Sequence, residues 1–227
     1  LPAMWLAPLL KTRDVAHMSD EDMVAYLRRY LLDQDAPNPS IEALLHAYMP
    51  HAFVDHTHAT AILALADQQD METVVAEIYG GRVGFVPYVM PGYSLSHACK
   101  DALARDPSVE GLWLEQHGLF TFAETAQASY ELRIAFVTMA EDYLAERGIQ
   151  VPGPEVTDRD APKGLAETLR GALATRRDLG AEPAMDFRTG PSIRSYLSRG
   201  NLAELSRRGT ATPDHVIRIK PFGMIVE

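Results

Sequence analysis

His56-Thr57-His58 is the stretch richest in chemistry. On a strand, residues two apart share a face and lie about 6.5 Å apart along the backbone. Two imidazoles so placed converge on one ion, with Zn–N distances near 2.0–2.1 Å. The same tripeptide also serves as a pair of hydrogen-bonded histidines at a sheet end. A catalytic zinc needs a third protein ligand and an open position. His117 follows the apolar run Leu112-Trp113-Leu114 and precedes Gly118, so it stands at a strand end where a side chain projects into a cleft. Taken alone, it reads as a surface or turn histidine. Glu42 supplies a carboxylate. Beside a divalent ion it can ligate the metal, then act as a base once substrate displaces it. A glutamate in a first helical turn more commonly stabilises its own helix.

Composition narrows the setting. The chain has 227 residues, 47% hydrophobic and 23% charged, which excludes disordered, collagen-like and coiled-coil classes. Its formal charge of −10 makes it a poor general binder of nucleic acid. One cysteine, Cys99, excludes an internal disulfide framework and a Cys-rich zinc site, and fits a reducing cytoplasm. Any metal must therefore rely on carboxylates and the 8 histidines. The apolar opening from Leu1 to Leu10 is too short to span a bilayer, contains Pro2 and Pro8, and lacks the basic start of a signal peptide. Because the first residue is Leu1 rather than Met, the expectation is a piece of a longer protein.

The elements that must position these residues follow from spacing. Ser19 caps a helix carrying Asp20, Glu21 and Asp22 in its first turn. Pro37-Asn38-Pro39 breaks the chain, and Ser40 caps a second helix that holds Glu42 in its first turn and ends at Pro50. Ala52 to His58 reads as a strand, and Ala59 to Ala66 as a helix. Val83 to Val89 is a second strand. Ser94 caps a helix through Arg105. Gly111 to Leu114 is a short buried strand, and Gly118 to Phe122 a strand or hairpin edge. Thr125 to Arg147 is the longest helical pattern, stopped by Gly148. Alternating strands and helices imply an α/β layered domain. From Val151 the texture changes: Pro152, Pro154 and Pro162 mark a loop. Helical segments follow near Gly164–Asp178, Ser192–Ser198 and Leu202–Arg207, and Val216–Lys220 reads as a closing strand.

Three ordered segments carry a resemblance: Pro39-Ser40-Ile41-Glu42-Ala43-Leu44-Leu45-His46, Val54-Asp55-His56-Thr57-His58-Ala59, and Glu115-Gln116-His117-Gly118-Leu119. Together they resemble the class II aldolase/adducin family. Within it they are most similar to the aldolase part of the bifunctional rhamnulose-1-phosphate aldolase/alcohol dehydrogenase group. Val86-Pro87-Tyr88-Val89-Met90-Pro91-Gly92 and Thr212-Pro213-Asp214-His215-Val216-Ile217-Arg218 resemble that group too, so the similarity spans roughly residues 37–220. His-x-His is weak alone; the ordered set is specific.

The resemblance implies a three-layer α/β/α sandwich around a central mixed, largely antiparallel sheet. It implies one domain over residues 1–227, short of an N-terminal segment, with 151–215 as a helical elaboration. It implies a metal-dependent carbon–carbon lyase. One Zn²⁺ per chain, or another divalent ion, would sit on His56, His58 and His117 and chelate the carbonyl and hydroxyl oxygens of a ketose 1-phosphate. Glu42 would shuttle the proton. Tyr79 would protonate the leaving part, in the family often across a subunit boundary, unless it is an ordinary packed tyrosine. His46 would orient Glu42 or a ligand, or belong to the core. His51 and His97 read as structural, and His215 falls in the late motif without a role. The expected partners are a small sugar phosphate and further copies of the chain, commonly as a tetramer, with no nucleic acid and no membrane.

Two features depart from the pattern. Family members begin with a Gly-rich segment that helps bind phosphate, and Gly80-Gly81, without a following Lys-Ser/Thr, does not replace it. No Gly-x-Gly-x-x-Gly follows a strand, so no nicotinamide cofactor is expected. Sugar-phosphate 4-epimerases and dehydratases use the same zinc cradle, and adducin-like interaction modules lack the zinc histidines. These remain the alternatives.

Overall fold

The computed structural model describes residues 2–150, 162–174 and 184–225. Four strands form its centre: β1 (Phe53–Thr57), β2 (Val83–Val86), β3 (Gly111–Leu114) and β4 (Gly118–Ala123). Their order is β1-β4-β3-β2. β4 pairs antiparallel with β1 and with β3, and β2 pairs parallel with β3, giving a mixed, largely antiparallel sheet. Gly118 to Phe122, read as a strand or hairpin edge, is a strand, and an interior one with a partner on each side. β1, sixty residues earlier, takes the second side of β4, a pairing that no local signal encodes.

Side chains alternate across this sheet. On one face Trp113 and Leu119 pack with Ile62 of α4 (Thr60–Ala66), Val75 of α5 (Met71–Tyr79) and Phe136 of α7 (Ala126–Glu146). On the other, Leu112 and Phe120 pack with Leu45 of α3 (Ala43–Tyr48) and Cys99 of α6 (Tyr93–Arg105). These are the three layers. A further cluster, including Leu9, Met23, Leu44 and Tyr93, lays α1 (Leu6–Leu10) and α2 (Asp20–Arg29) against α3.

Helix ends follow local chemistry where they can. Ser19 Oγ accepts from Asp22 N–H at 3.1 Å, as a cap should. Thr125 Oγ1 accepts from Ala128 N–H at 3.2 Å at the start of α7. At its end Gly148 takes φ +73, and Ile149 N–H closes on the Leu144 carbonyl at 2.9 Å. Ser40 Oγ accepts from Glu42 N–H at 3.2 Å, yet α3 proper begins only at Ala43. Ser94 does not cap α6. That helix starts one residue earlier, and the carboxylate of Asp20, on α2, accepts Tyr93 N–H at 3.0 Å. β2 stops at Val86 because Pro87 has no N–H to continue the ladder.

The expected closing strand Val216–Lys220 is instead a helix, α11 once α8 (Leu165–Leu173), α9 (Pro191–Leu197) and α10 (Leu202–Leu205) are counted; it spans Pro213–Arg218. Thr212 Oγ1 accepts from His215 N–H at 3.3 Å, and Pro213 takes the first turn. Capping overrides the β-branched run Val216-Ile217. The loop expected at Pro152 and Pro154, and the far end of the Gly164–Asp178 segment, lie outside the described residues.

By contacts the chain divides into two compact units. One holds the sheet, α1 to α7 and residues 211–219, so α11 belongs to it. The other contains α8, α9 and α10, none of which has a buried residue. Among the described residues no helix is long and apolar enough to cross a membrane.

Candidate metal centre

β1 presents Val54 and His56 toward the α3 face. His56 pairs in register with Phe120 and stacks on its ring, with centroids 4.0 Å apart and planes 12° apart. Its Nδ1 lies 3.1 Å from the Leu119 carbonyl. A carbonyl can only accept, so Nδ1 carries the proton and Nε2 keeps a lone pair. His58 stands just past the end of β1. Its Nδ1 lies 3.0 Å from Asp214 Oδ2, which assigns the same tautomer. The two Nε2 atoms are then 2.8 Å apart. Two facing lone pairs at that distance repel unless a cation or proton lies between them.

His117 arrives from the β3–β4 turn. Gln116 there takes φ +55, and its N–H donates to the Ala66 carbonyl at 3.1 Å. His117 Nε2 lies 2.8 Å from Glu42 Oε1, and the same oxygen is 3.5 Å from His56 Nε2. Glu42 occupies the N-cap position of α3, so that helix start carries the carboxylate to the strand ends. All four ligand atoms lie within 4.8 Å of one another. Gly118 makes the approach possible. A Cβ there would stand 2.7 Å from the Thr57 carbonyl, 2.9 Å from His58 Cδ2 and 3.0 Å from His56 Cε1.

Electrostatics keep these groups in ligand form. Burial drives the His56 pKa down to about 3, so its ring is neutral at pH 7. Burial pushes Glu42 upward, but the His117 hydrogen bond and the neighbouring imidazoles outweigh it and hold the carboxyl below its usual range. The donors are imidazole nitrogen and carboxylate oxygen, a set that suits zinc and other divalent first-row ions. His117 Nδ1 is buried with no hydrogen-bond partner in the protein. The residues present fit a bound divalent cation.

Glu42, His56, His58 and His117 are thus brought together. Tyr79 is not among them. It is buried on the opposite sheet face, beside Trp113 and Phe136, and its hydroxyl donates to the Phe136 carbonyl at 3.1 Å. Burial raises its pKa. His46 meets the edge of the same Phe120 ring that His56 stacks on, with centroids 5.2 Å apart, and burial lowers its pKa. His97 packs against Tyr48 and Tyr93, and His51 stacks on Phe122. His215 acts within the cap of α11, its Nδ1 2.5 Å from Thr212 Oγ1. Sequence reasoning did not find Asp214, although it lies in the singled-out Thr212-Pro213-Asp214-His215 motif. It stands 156 positions from His58, and only the fold reveals the contact.

Comparison with known proteins finds two family models and similar proteins. The family model described as class II aldolase and adducin N-terminal domain matches residues 11–144. The one described as aldolase class II, second domain, matches residues 160–227. The solved N-terminal class II aldolase domain of a conserved protein from Thermoplasma acidophilum is 32% identical with a TM-score of 0.59, over 63% of this chain and 66% of that one. The uncharacterized oxidoreductase YuxG of Bacillus subtilis is 32% identical over 231 residues, 98% of this chain and 32% of that protein. The chain spans about a third of that relative's length.

Proposed function

The chain belongs to the class II aldolase and adducin family, and from that premise we propose that it is a zinc-dependent aldolase cleaving a ketose 1-phosphate such as rhamnulose 1-phosphate to dihydroxyacetone phosphate and an aldehyde. The observation that carries this reading is the convergence of Glu42, His56, His58 and His117 within 4.8 Å. A divalent ion held there would supply a Lewis acid for charge gathering on the carbonyl and hydroxyl oxygens of the substrate.

The chain's own residues supply the rest. Retro-aldol cleavage removes a proton from the hydroxyl on the leaving side, and the carbon–carbon bond then breaks toward the carbonyl. Glu42 is the base within reach, because its oxygen already touches His117 and is held ionised. His56 and His58 orient their Nε2 atoms through the Leu119 carbonyl and Asp214, and the Phe120 ring backs His56. The proton returned to the carbanion is not assigned to Tyr79, whose hydroxyl is engaged on the other sheet face. The oxidoreductase in the YuxG name describes a chain about three times as long, and it is not carried over to this one. The four-residue donor set favours catalysis over an adducin-like interaction role.

The test is metal analysis of protein purified without chelators, followed by product analysis on a panel of ketose 1-phosphates. About one zinc per chain and release of dihydroxyacetone phosphate are expected. Glu42→Gln should keep most of the metal and lose turnover by about 10²–10⁴-fold. Retained turnover in Glu42→Gln removes Glu42 from the mechanism. Inverted or dehydrated products transfer the site to an epimerase or dehydratase. A metal-free protein overturns the reading.

A further inference from the structure

The two histidines of His56-Thr57-His58 are held very differently. His56 lies inside the β1 ladder, stacks on Phe120 and donates to a backbone carbonyl. Three fixed neighbours settle its ring. His58 lies beyond the ladder, and outside the four-residue cluster its ring has one polar partner among the described residues, the carboxylate of Asp214 at 3.0 Å. An imidazole has two nitrogens and can present either one. An anion at Nδ1 demands the N–H there and leaves the lone pair at Nε2.

The sequence builds this contact with care. Thr212 is extended, with φ −129 and ψ 147, and its hydroxyl accepts from His215 N–H. Pro213 fixes the next φ. Asp214 follows in the first turn and turns back to His58, within the same compact unit as the strands. The late motif Thr212-Pro213-Asp214-His215 thereby gains a purpose.

We propose that Asp214 is a positioning residue that sets the tautomer and orientation of His58, so that the C-terminal part of the chain completes the metal centre. The inference rests on the metal reading of the site. A carboxylate behind a ligating histidine fixes the ring and raises its basicity. An incidental surface pair would do neither.

The test uses the full chain and Zn²⁺ alone, with affinity read by competition against a chromogenic chelator. Asp214→Ala should weaken zinc binding by about tenfold to a hundredfold. Asp214→Asn keeps an acceptor of the same shape and should recover part of that loss. In a His58→Ala background, Asp214→Ala should cost nothing further. With Co²⁺ in place of zinc, Asp214→Ala should shift the visible absorption bands, which a purely structural role would leave alone. Binding by Asp214→Ala within about twofold of the parent, or an equal loss in the His58→Ala background, overturns the inference while leaving the metal reading intact. Failure of the parent chain to bind zinc overturns both.

Discussion

His56 is neutral because it is buried, and that neutrality has a thermodynamic cost at low pH. An unfolded histidine titrates near 6.5, whereas His56 titrates at about 3 in the fold. Between those values the unfolded chain binds a proton that the folded chain refuses. The stability of the metal-free protein is therefore full above about pH 6.5 and falls as pH drops toward 3, by at most about 5 kcal/mol from this group. Glu42 acts in the same direction, since its pKa is lowered in the fold and its contribution is lost as pH falls through that value. Denaturant melts of the metal-free chain at several pH values should show this slope, and His56→Asn should flatten it. A slope unchanged by the substitution would assign the pH dependence to other groups.

At the level of elements, the site depends on a turn and two strands brought unusually close. Gly118 permits this: an added Cβ would sit 2.7 Å from the rigid Thr57 carbonyl and press on both histidine rings. Gly118→Ala should destabilise the chain by about 1–3 kcal/mol, as overpacking does, and weaken zinc binding as β1 and β4 separate. Equilibrium unfolding and chelator competition on one sample would check both effects, and an unaltered zinc affinity would mean that the turn tolerates the displacement. Much of this element plan was legible in the sequence. The two-residue period of His56 and His58 predicted a shared face, and Thr125 and Gly148 marked the ends of α7. What was not legible depends on distant partners. The central place of β4 needs β1, and the cap of α6 needs Asp20 from α2. The closing helix was hidden because Val216 and Ile217 favour strands while Thr212 and Pro213, just upstream, favour a helix start. Tyr79 could not be placed by pattern at all, since helical spacing does not say which sheet face α5 will cover.

Across the whole molecule, the proposed metal centre, with Asp214 counted, gathers residues from four places: the start of α3, the end of β1, the β3–β4 turn and the first turn of α11. None of these arrangements survives unfolding, so metal binding at this site would be linked to folding. At a free zinc concentration about a hundredfold above Kd, the folded state gains about 2.7 kcal/mol. For a chain of this size that is a rise of about 5–10 °C in Tm, which EDTA should abolish. A Tm indifferent to both additions would mean that the four residues do not bind zinc in the folded state. The same gathering bears on charge. The chain carries a net −10, yet a dication held through imidazole lone pairs and one carboxylate would keep a local positive charge. An anionic substrate would thus meet attraction at the site within an otherwise repelling molecule.

The contact between His58 and Asp214 also has a meaning in time. A ribosome adds about 5–20 residues per second, so the 156 positions between them take about 8 to 30 seconds to make. Throughout that interval a nascent chain already holds the histidine but has no carboxylate to steady it. On the proposed reading, His58 gains its orienting carboxylate only well after all four strands, the last ending at Ala123, have been made.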